Sequence, residues 1–366
     1  MLWGRAAARC ELAGCNRLLS FHPRTKESLN LAETAHIIGF SANGPRGEAD
    51  LSEKLAGDID NLMLLCGDCH RLVDNQQTAA NYPVRLLRQM KLAHERRVEL
   101  CTRTEGRESH VLLYDSRIGE HYARASYSKA VTAMSPDWYP AERTPLDLGM
   151  SGSFEDAGRV FWSVESAHLR NMISQHVRPR LASGSIQHLS VFAVAPQALL
   201  MLLGSLLSDI PTIEVYQLHR EPQNWRWQGH PEGFEYIVQR PSDLAGQPAL
   251  VLALSATISD QRISAVLGGK AAVWRVTVPR PHNDFLKSRM QLRQFRQVIR
   301  PLMDEIKARH GEGALLHVFP AAPVAIAVEM GRVIMPKADL RLRIYDQNRS
   351  QGGYVQALEL PSTQGD

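Results

Sequence analysis

Cys66, Cys69 and His70 stand together in the run Leu-Leu-Cys-Gly-Asp-Cys-His at residues 64–70. Two thiolates at this spacing grip one side of a tetrahedral zinc, and a helix starting beside the knuckle would hold His70 at a fixed place relative to the metal. The other half of the site lies upstream. Cys10 and Cys15, in Cys-Glu-Leu-Ala-Gly-Cys, form a second pair, so Cys10, Cys15, Cys66 and Cys69 are expected to bind one structural zinc. The competing chemistry is a disulfide. The opening residues Met-Leu-Trp-Gly-Arg carry no apolar secretory stretch, so a reducing, cytoplasmic setting is expected and disulfides are disfavoured. Cys101 is left over and reads as a small core residue on a helix.

The elements that must position these residues are legible around them. In Asn-Leu-Ala-Glu-Thr-Ala-His-Ile-Ile-Gly-Phe-Ser, residues 30–41, a strand-like run delivers His36 at its end. Asn43-Gly44-Pro45-Arg46-Gly47 follows as a polar loop with strong turn chemistry. Asn61 then opens the apolar run Leu62–Leu65 before Cys66, and a helix is expected from about Asp68. Upstream, Arg17 to Pro23 reads as a hairpin. Downstream, Pro83 starts a helix to Cys101 on which Leu87, Met90, His94, Val98 and Cys101 recur at helical spacing as the core face. Arg85, Arg88 and Arg96 lie on its other side, as a solvated face or as phosphate contacts.

The order His36, Asn61, His70 inside a cysteine-paired frame resembles the HNH nucleases, whose ββα-metal fold seats one divalent ion between two strands and a helix. The resemblance implies an α+β, zinc-supported nuclease domain over residues 1–104, with His36 as general base, Asn61 fixing geometry or helping to bind metal, and His70 ligating a catalytic Mg²⁺ or similar cation. Such residue types suit phosphodiester hydrolysis, which needs an activated water and a cation on the scissile oxygens. One departure stands out. Many HNH enzymes carry a metal-ligating Asp or His immediately before the base, where this chain has Ala35; Glu33, Asp60, water or DNA phosphate would have to complete the coordination.

The whole chain has 366 residues, enough for two or three domains, with 44% hydrophobic and 22% charged residues and a net charge of +4. That composition is ordinary for a globular protein, and so small a charge permits a polyanionic partner without arguing for one. The longest apolar stretch, 198–207, is broken by Gly204 and Ser205 and is too short to span a bilayer. Residues 105–150 read as a connector with one strand, Val111 to Tyr114, one helix near Ala125 to Met134, and a Pro-rich segment.

The second half of the chain repeats itself. Val191-Phe192-Ala193-Val194-Ala195-Pro196-Gln197-Ala198 returns as Val318-Phe319-Pro320-Ala321-Ala322-Pro323-Val324-Ala325, with Gly204 answered by Gly331 and Tyr216 by Tyr345. Each copy reads as strand, turn, apolar helix, strand, so the region is expected to be α/β with two Rossmann-like halves and buried parallel strands. Ala249 to Ser255 and Ala271 to Val278 add strands. Facing halves would present helix N-termini to phosphate, a cleft suited to a cyclic dinucleotide. A helix from about Asp284 to His310 carries an arginine row, Arg289, Arg293, Arg296 and Arg300, either solvated or available to ligand, DNA or a second subunit.

Val-Phe-Pro-Ala-Ala-Pro, a helix ending Val-Glu-Met-Gly-Arg, then Met-Pro-Lys-Ala-Asp and Ile-Tyr-Asp-Gln-Asn, are similar to the SAVED domain, a fusion of two CARF-like units. The resemblance covers residues 151–366. It implies a sensor of cyclic di- or trinucleotide second messengers and, joined to an HNH nuclease, a DNA-degrading CBASS anti-phage effector that forms a homo-oligomer on activation and cuts double-stranded DNA. Expected ligand contacts are Trp225 and Trp227 by stacking, Ser255 and Thr257 after a buried strand, Pro320, Ala321 and Ala322 through backbone, and Lys337 and Tyr345. Two other readings remain: a zinc-stabilised DNA-binding regulator without catalysis, and a modification-dependent restriction endonuclease.

Overall fold

Leu62–Cys66 (β2) is apolar throughout because it is buried on both sides; it pairs antiparallel with Ala32–His36 (β1), setting His36 opposite Leu62 and Ala32 opposite Cys66. The computed structural model describes residues 1–103, 106–116, 125–150, 158–207, 212–348 and 353–361. The expected domain limits at 104, 105 and 151 fall outside these residues. By internal contacts the chain divides into two units, Met1–Gly106 and Arg107–Asp366.

In the first unit a short helix, Leu2–Arg5 (α1), precedes the two strands, and Gly67–Asp74 (α2) leaves β2 with no connecting residue. Cys69 and His70 therefore sit in the first turns of a helix whose start is pinned by Cys66. The core gathers Leu19, Ile37, Met63, Leu64, Leu65, Val73 and Leu87 around the buried Cys10, Cys66 and Cys69. Val84–Thr102 (α3) starts directly after Pro83, which stands at its N-cap in extended conformation. His94 is buried and donates from Nε2 to the Ala6 carbonyl at 3.0 Å. Cys101 is exposed rather than in the core, because the last residue of α3 to be buried is His94.

The second unit holds two sheets. Glu108–Asp115 (β3) is followed by Tyr127–Met134 (α4), Tyr139–Pro140 (β4), Leu146–Asp147 (β5), Arg159–Met172 (α5), Arg178–Ala182 (α6), Leu189–Val194 (β6), Gln197–Leu206 (α7) and Ile213–Val215 (β7). β3 pairs in parallel with β4, β5 and β6, and β6 with β7. The segment expected to be a connector thus supplies a central strand, buried from Ser109 to Asp115. Its middle, Val111 to Tyr114, is apolar on both faces because a parallel strand is covered on both sides.

The other sheet comes from Ile237–Gln239 (β8), Gln247–Ala253 (β9), Asp260–Leu267 (α8), Ala271–Thr277 (β10), Arg289–His310 (α9), Leu315–Ala321 (β11), Val324–Arg332 (α10), Arg341–Asn348 (β12) and Gly353–Leu360 (β13). Its order is β13-β12-β11-β9-β10-β8, parallel in the middle and antiparallel at both edges. α9 starts at Arg289 rather than near Asp284, because Ser288 and Gln291 form a reciprocal capping box. Three of the four arginines in its row are held in ion pairs. Arg289 pairs with Asp137 and Glu214, Arg296 with the buried Glu329, and Arg300 with Asp339, whose side chain is 3% exposed.

The two copies of the repeat meet where α7 packs on α10. A Cβ at Gly204 would collide with the Val328 carbonyl, and one at Gly331 with the Met201 carbonyl, so the paired glycines let two backbones touch. Gly331→Ala or Gly204→Ala should cost about 3 kcal/mol, the upper range for overpacking a dense core, read as a lower urea midpoint of the second unit's transition.

Candidate functional site

In the first unit the four cysteines converge. Cys10, Cys15, Cys66 and Cys69 offer sulfurs that all lie within 4.8 Å of one another, and Cys15 Sγ is 3.9 Å from Cys66 Sγ. A tetrahedron with metal–sulfur bonds of about 2.3 Å sets its sulfurs about 3.8 Å apart, so the cluster has the size of a zinc site. None forms a disulfide. Burial pushes the Cys10 thiol up to about 11 and Cys69 higher still. At Cys66 burial is outweighed by hydrogen bonds from the Cys69 backbone N–H and the neighbouring thiols, which pull it below the ordinary thiol value.

His36 is half-buried at the end of β1. Its Nε2 lies 3.1 Å from the Ala56 carbonyl; a carbonyl only accepts, so Nε2 carries the proton and the lone pair stays on Nδ1. Asn61 is 3% exposed and works on the backbone. Its Oδ1 accepts from Ile38 N–H at 2.8 Å, and its Nδ2 donates to the Ile38 and Leu55 carbonyls at 3.1 and 3.2 Å. These bonds fasten the chain after β1 to the loop before β2. Asn61 is therefore a positioning residue here.

His70 lies between two carboxylates, with Nδ1 2.5 Å from Glu33 Oε2 and Nε2 3.2 Å from Asp74 Oδ2. Asp60, the other carboxylate considered for the place beside Ala35, instead pairs with Arg5 at 2.7 Å. Two residues escaped the sequence reading. Asp74 follows His70 by four positions, the spacing that stacks side chains on one helix face, and that signal was readable. Arg46 was not: from the polar loop it donates to the carbonyls of His36, Ile37 and Val73 and to Asp74 Oδ1 at 2.5 Å. It ties the end of β1 to the end of α2.

In the second unit the expected ligand contacts scatter. Ser255 N–H donates to Ala321 O at 2.7 Å, and Ala322 N–H to Gln197 Oε1 at 3.0 Å, so Ser255, Ala321 and Ala322 meet the start of α7 at the strand ends. Thr257 is exposed just beyond, and Pro320 is buried within β11. The backbone at the start of α10 is already engaged, since Gln217 Oε1 also accepts from Ala325 N–H at 3.2 Å. Trp225 is 2% exposed and edge-on to Phe192, itself stacked on Tyr216 at 4.3 Å. Trp227 packs edge-on to His219. Both are packing residues here because their segment lies against the first half's sheet. Tyr345 is buried, stacked on Phe319 at 4.5 Å and 2.9 Å from His317 Nδ1, repeating the Phe192–Tyr216 pair. Lys337 follows the far end of α10, lining a cavity of about 990 Å³ with Arg296, Arg300 and Arg332.

The model of the SAVED family, the SMODS-associated and fused to various effectors sensor domain, matches residues 169–360. The chain belongs to the SAVED family. SAVED domains are the cyclic-oligonucleotide sensors of CBASS effectors, so the second unit contains a sensor of that class. Among solved structures, the Acinetobacter baumannii Cap4 SAVED/CARF-domain containing receptor with the cyclic trinucleotide 2'3'3'-cAAA is similar at 13% identity and a TM-score of 0.45, covering 80% of this chain and 66% of that one. The same receptor with 3'3'3'-cAAA gives a TM-score of 0.43 at 13% identity, with the same shares of the two chains. The Moraxella osloensis Cap4 receptor gives 0.38 at 12%, covering 83% and 66%. The chain thus spans just under two thirds of the length of these receptors. No curated protein matches it. Among the described residues no helix is long and apolar enough to cross a membrane.

Proposed function

We propose that this SAVED protein is a cyclic-oligonucleotide-activated, metal-dependent endonuclease of HNH type that degrades double-stranded DNA as a cytoplasmic CBASS effector. The observation that carries the nuclease reading is the arrangement β1, β2, α2: two antiparallel strands run into a helix, with His36 at the end of one strand and His70 on the helix. The lone pair on His36 Nδ1, left free by the Nε2–Ala56 bond, takes a proton from the attacking water. Asn61 holds the His36 strand end against the loop before β2. His70, flanked by Glu33 and Asp74, offers a mixed nitrogen and oxygen donor set of the kind divalent cations take. A Mg²⁺-like ion bound there would neutralise charge developing on the scissile phosphate. In this reading Glu33 and Asp74 supply the carboxylate oxygens that Ala35 does not.

Control comes from the second unit. A messenger switches the nuclease only if the active assembly binds it more tightly than the resting form, and self-association of chains on ligand binding supplies such a difference. The test is plasmid digestion in Mg²⁺ against a panel of cyclic di- and trinucleotides, with light scattering on the same samples. Cutting that appears with one nucleotide, alongside a rise in mass, is the expected result. Intact plasmid in every arm would sink the nuclease; cutting triggered by methylated DNA alone would favour a restriction enzyme.

A further inference from the structure

Three polar atoms on the first half's sheet and on α5 have no well-formed hydrogen-bond partner among the described residues: Tyr114 Oη, Ser116 Oγ and Glu165 Oε2. Their residues are more than nine-tenths buried, at 0%, 4% and 6% exposure. They also face one another. Side chains alternate along a strand, so Leu112, Tyr114 and Ser116 share one face of β3, and that face packs with Phe161, Trp162 and Leu169 of α5. Glu165 lies three or four residues from each of these and so on the same side of the helix. Asp115 takes the opposite face with Val111 and Leu113, which belong to a different cluster.

Unpaired buried donors and acceptors are costly, and folded chains keep few of them. Three converging from two elements call for a guest. Ser116 N–H donates to the Val194 carbonyl at 3.1 Å, which places the group at the carboxyl end of β3, beside the chain that enters α7. Ligands of α/β sheets approach at these strand ends, with phosphate favouring the helix N-terminus. A carboxylate repels phosphate. It suits the uncharged N–H and O–H groups that flank a phosphate in a nucleotide. Burial is the main influence on the Glu165 carboxyl and raises it above the ordinary range, while Ser116, His168 and Tyr114 pull the other way.

We infer that Glu165, Ser116 and Tyr114 read an uncharged N–H or O–H group of the bound cyclic oligonucleotide, from a base edge or a ribose hydroxyl. The inference rests on the sensor reading of the second unit. It makes these residues a stability cost in the resting protein that the messenger removes.

The test uses full-length wild type, Glu165→Gln, Ser116→Ala and Tyr114→Phe. Each is titrated calorimetrically with cyclic nucleotides whose base varies at fixed linkage and whose 2′-hydroxyl is removed at fixed base, and each is melted without ligand. Glu165→Gln should weaken binding about tenfold or more, since hydrogen bonds to a charged group carry at least that factor; the other two should weaken it several-fold. Melting temperatures should hold or rise in Ser116→Ala and Tyr114→Phe, because each removes a buried hydroxyl without a well-formed partner, and should hold in Glu165→Gln, which trades a buried carboxyl for a neutral amide of the same shape. Variants that no longer discriminate bases identify the base edge; variants indifferent to the 2′-deoxy change identify the ribose. Wild-type binding by all variants overturns the inference and leaves the sensor reading standing. Weaker binding together with melting several degrees lower also overturns it, as the mark of structural contacts. A wild type that binds none of the panel sinks the sensor reading as well.

Discussion

Replacing His36 by alanine should lower messenger-triggered DNA cleavage by about 10²- to 10⁴-fold, the usual contribution of a positioned general base, while cyclic-nucleotide binding stays at the wild-type value. The two readouts belong to different units, Met1–Gly106 and Arg107–Asp366, which is why they should separate. Folding should survive the change. His36 is half-buried and, among the described residues, its ring makes one hydrogen bond, to Ala56, so the loss in stability should be about 1 kcal/mol. Cleavage within threefold of wild type would remove His36 from the chemistry and favour a DNA-binding regulator. Asn61→Ala makes the useful contrast: it strips three buried backbone bonds, so its cleavage defect should come with a lower melting temperature.

Where the sequence was informative, one residue type had one physical use. Gly204 and Gly331 could be matched because only glycine lets two helix backbones touch, and the structure sets each against the opposing carbonyl. Four cysteines in two short-spaced pairs had few alternatives in a reducing setting, and their sulfurs do converge. Ambiguity entered wherever a residue type has several uses. Tryptophans at 225 and 227 stack equally well on a nucleobase or a core, and the phenylalanine that buries Trp225 lies 33 positions away. The α9 arginines looked free for the same reason, since Glu329, Asp339, Glu214 and Asp137 come from distant elements. Ser288-x-x-Gln291 was the exception: a local start signal stood in the sequence, and the helix begins there rather than at Asp284.

Removing the metal from the cysteine cluster should unfold the first unit and spare the second. Structural zinc sites carry an apparent binding free energy of about 10–16 kcal/mol, which exceeds the whole stability of most domains. The first unit has little to set against that loss. Its buried cluster is small, and Cys10, Cys66 and Cys69 are themselves members of it. Cys66 ends β2 and caps α2, so freeing it releases the strand opposite His36 and the helix that carries His70 together. Chelation, or Cys66→Ser, should therefore abolish cleavage and strip amide exchange protection from β1, β2 and α2. Strands β6, β9 and β11 should stay protected and cyclic-nucleotide affinity unchanged, because none of the four sulfurs belongs to the second unit. Full protection of β2 after complete metal release would show that the apolar core alone holds the unit, and the cluster would lose its structural role.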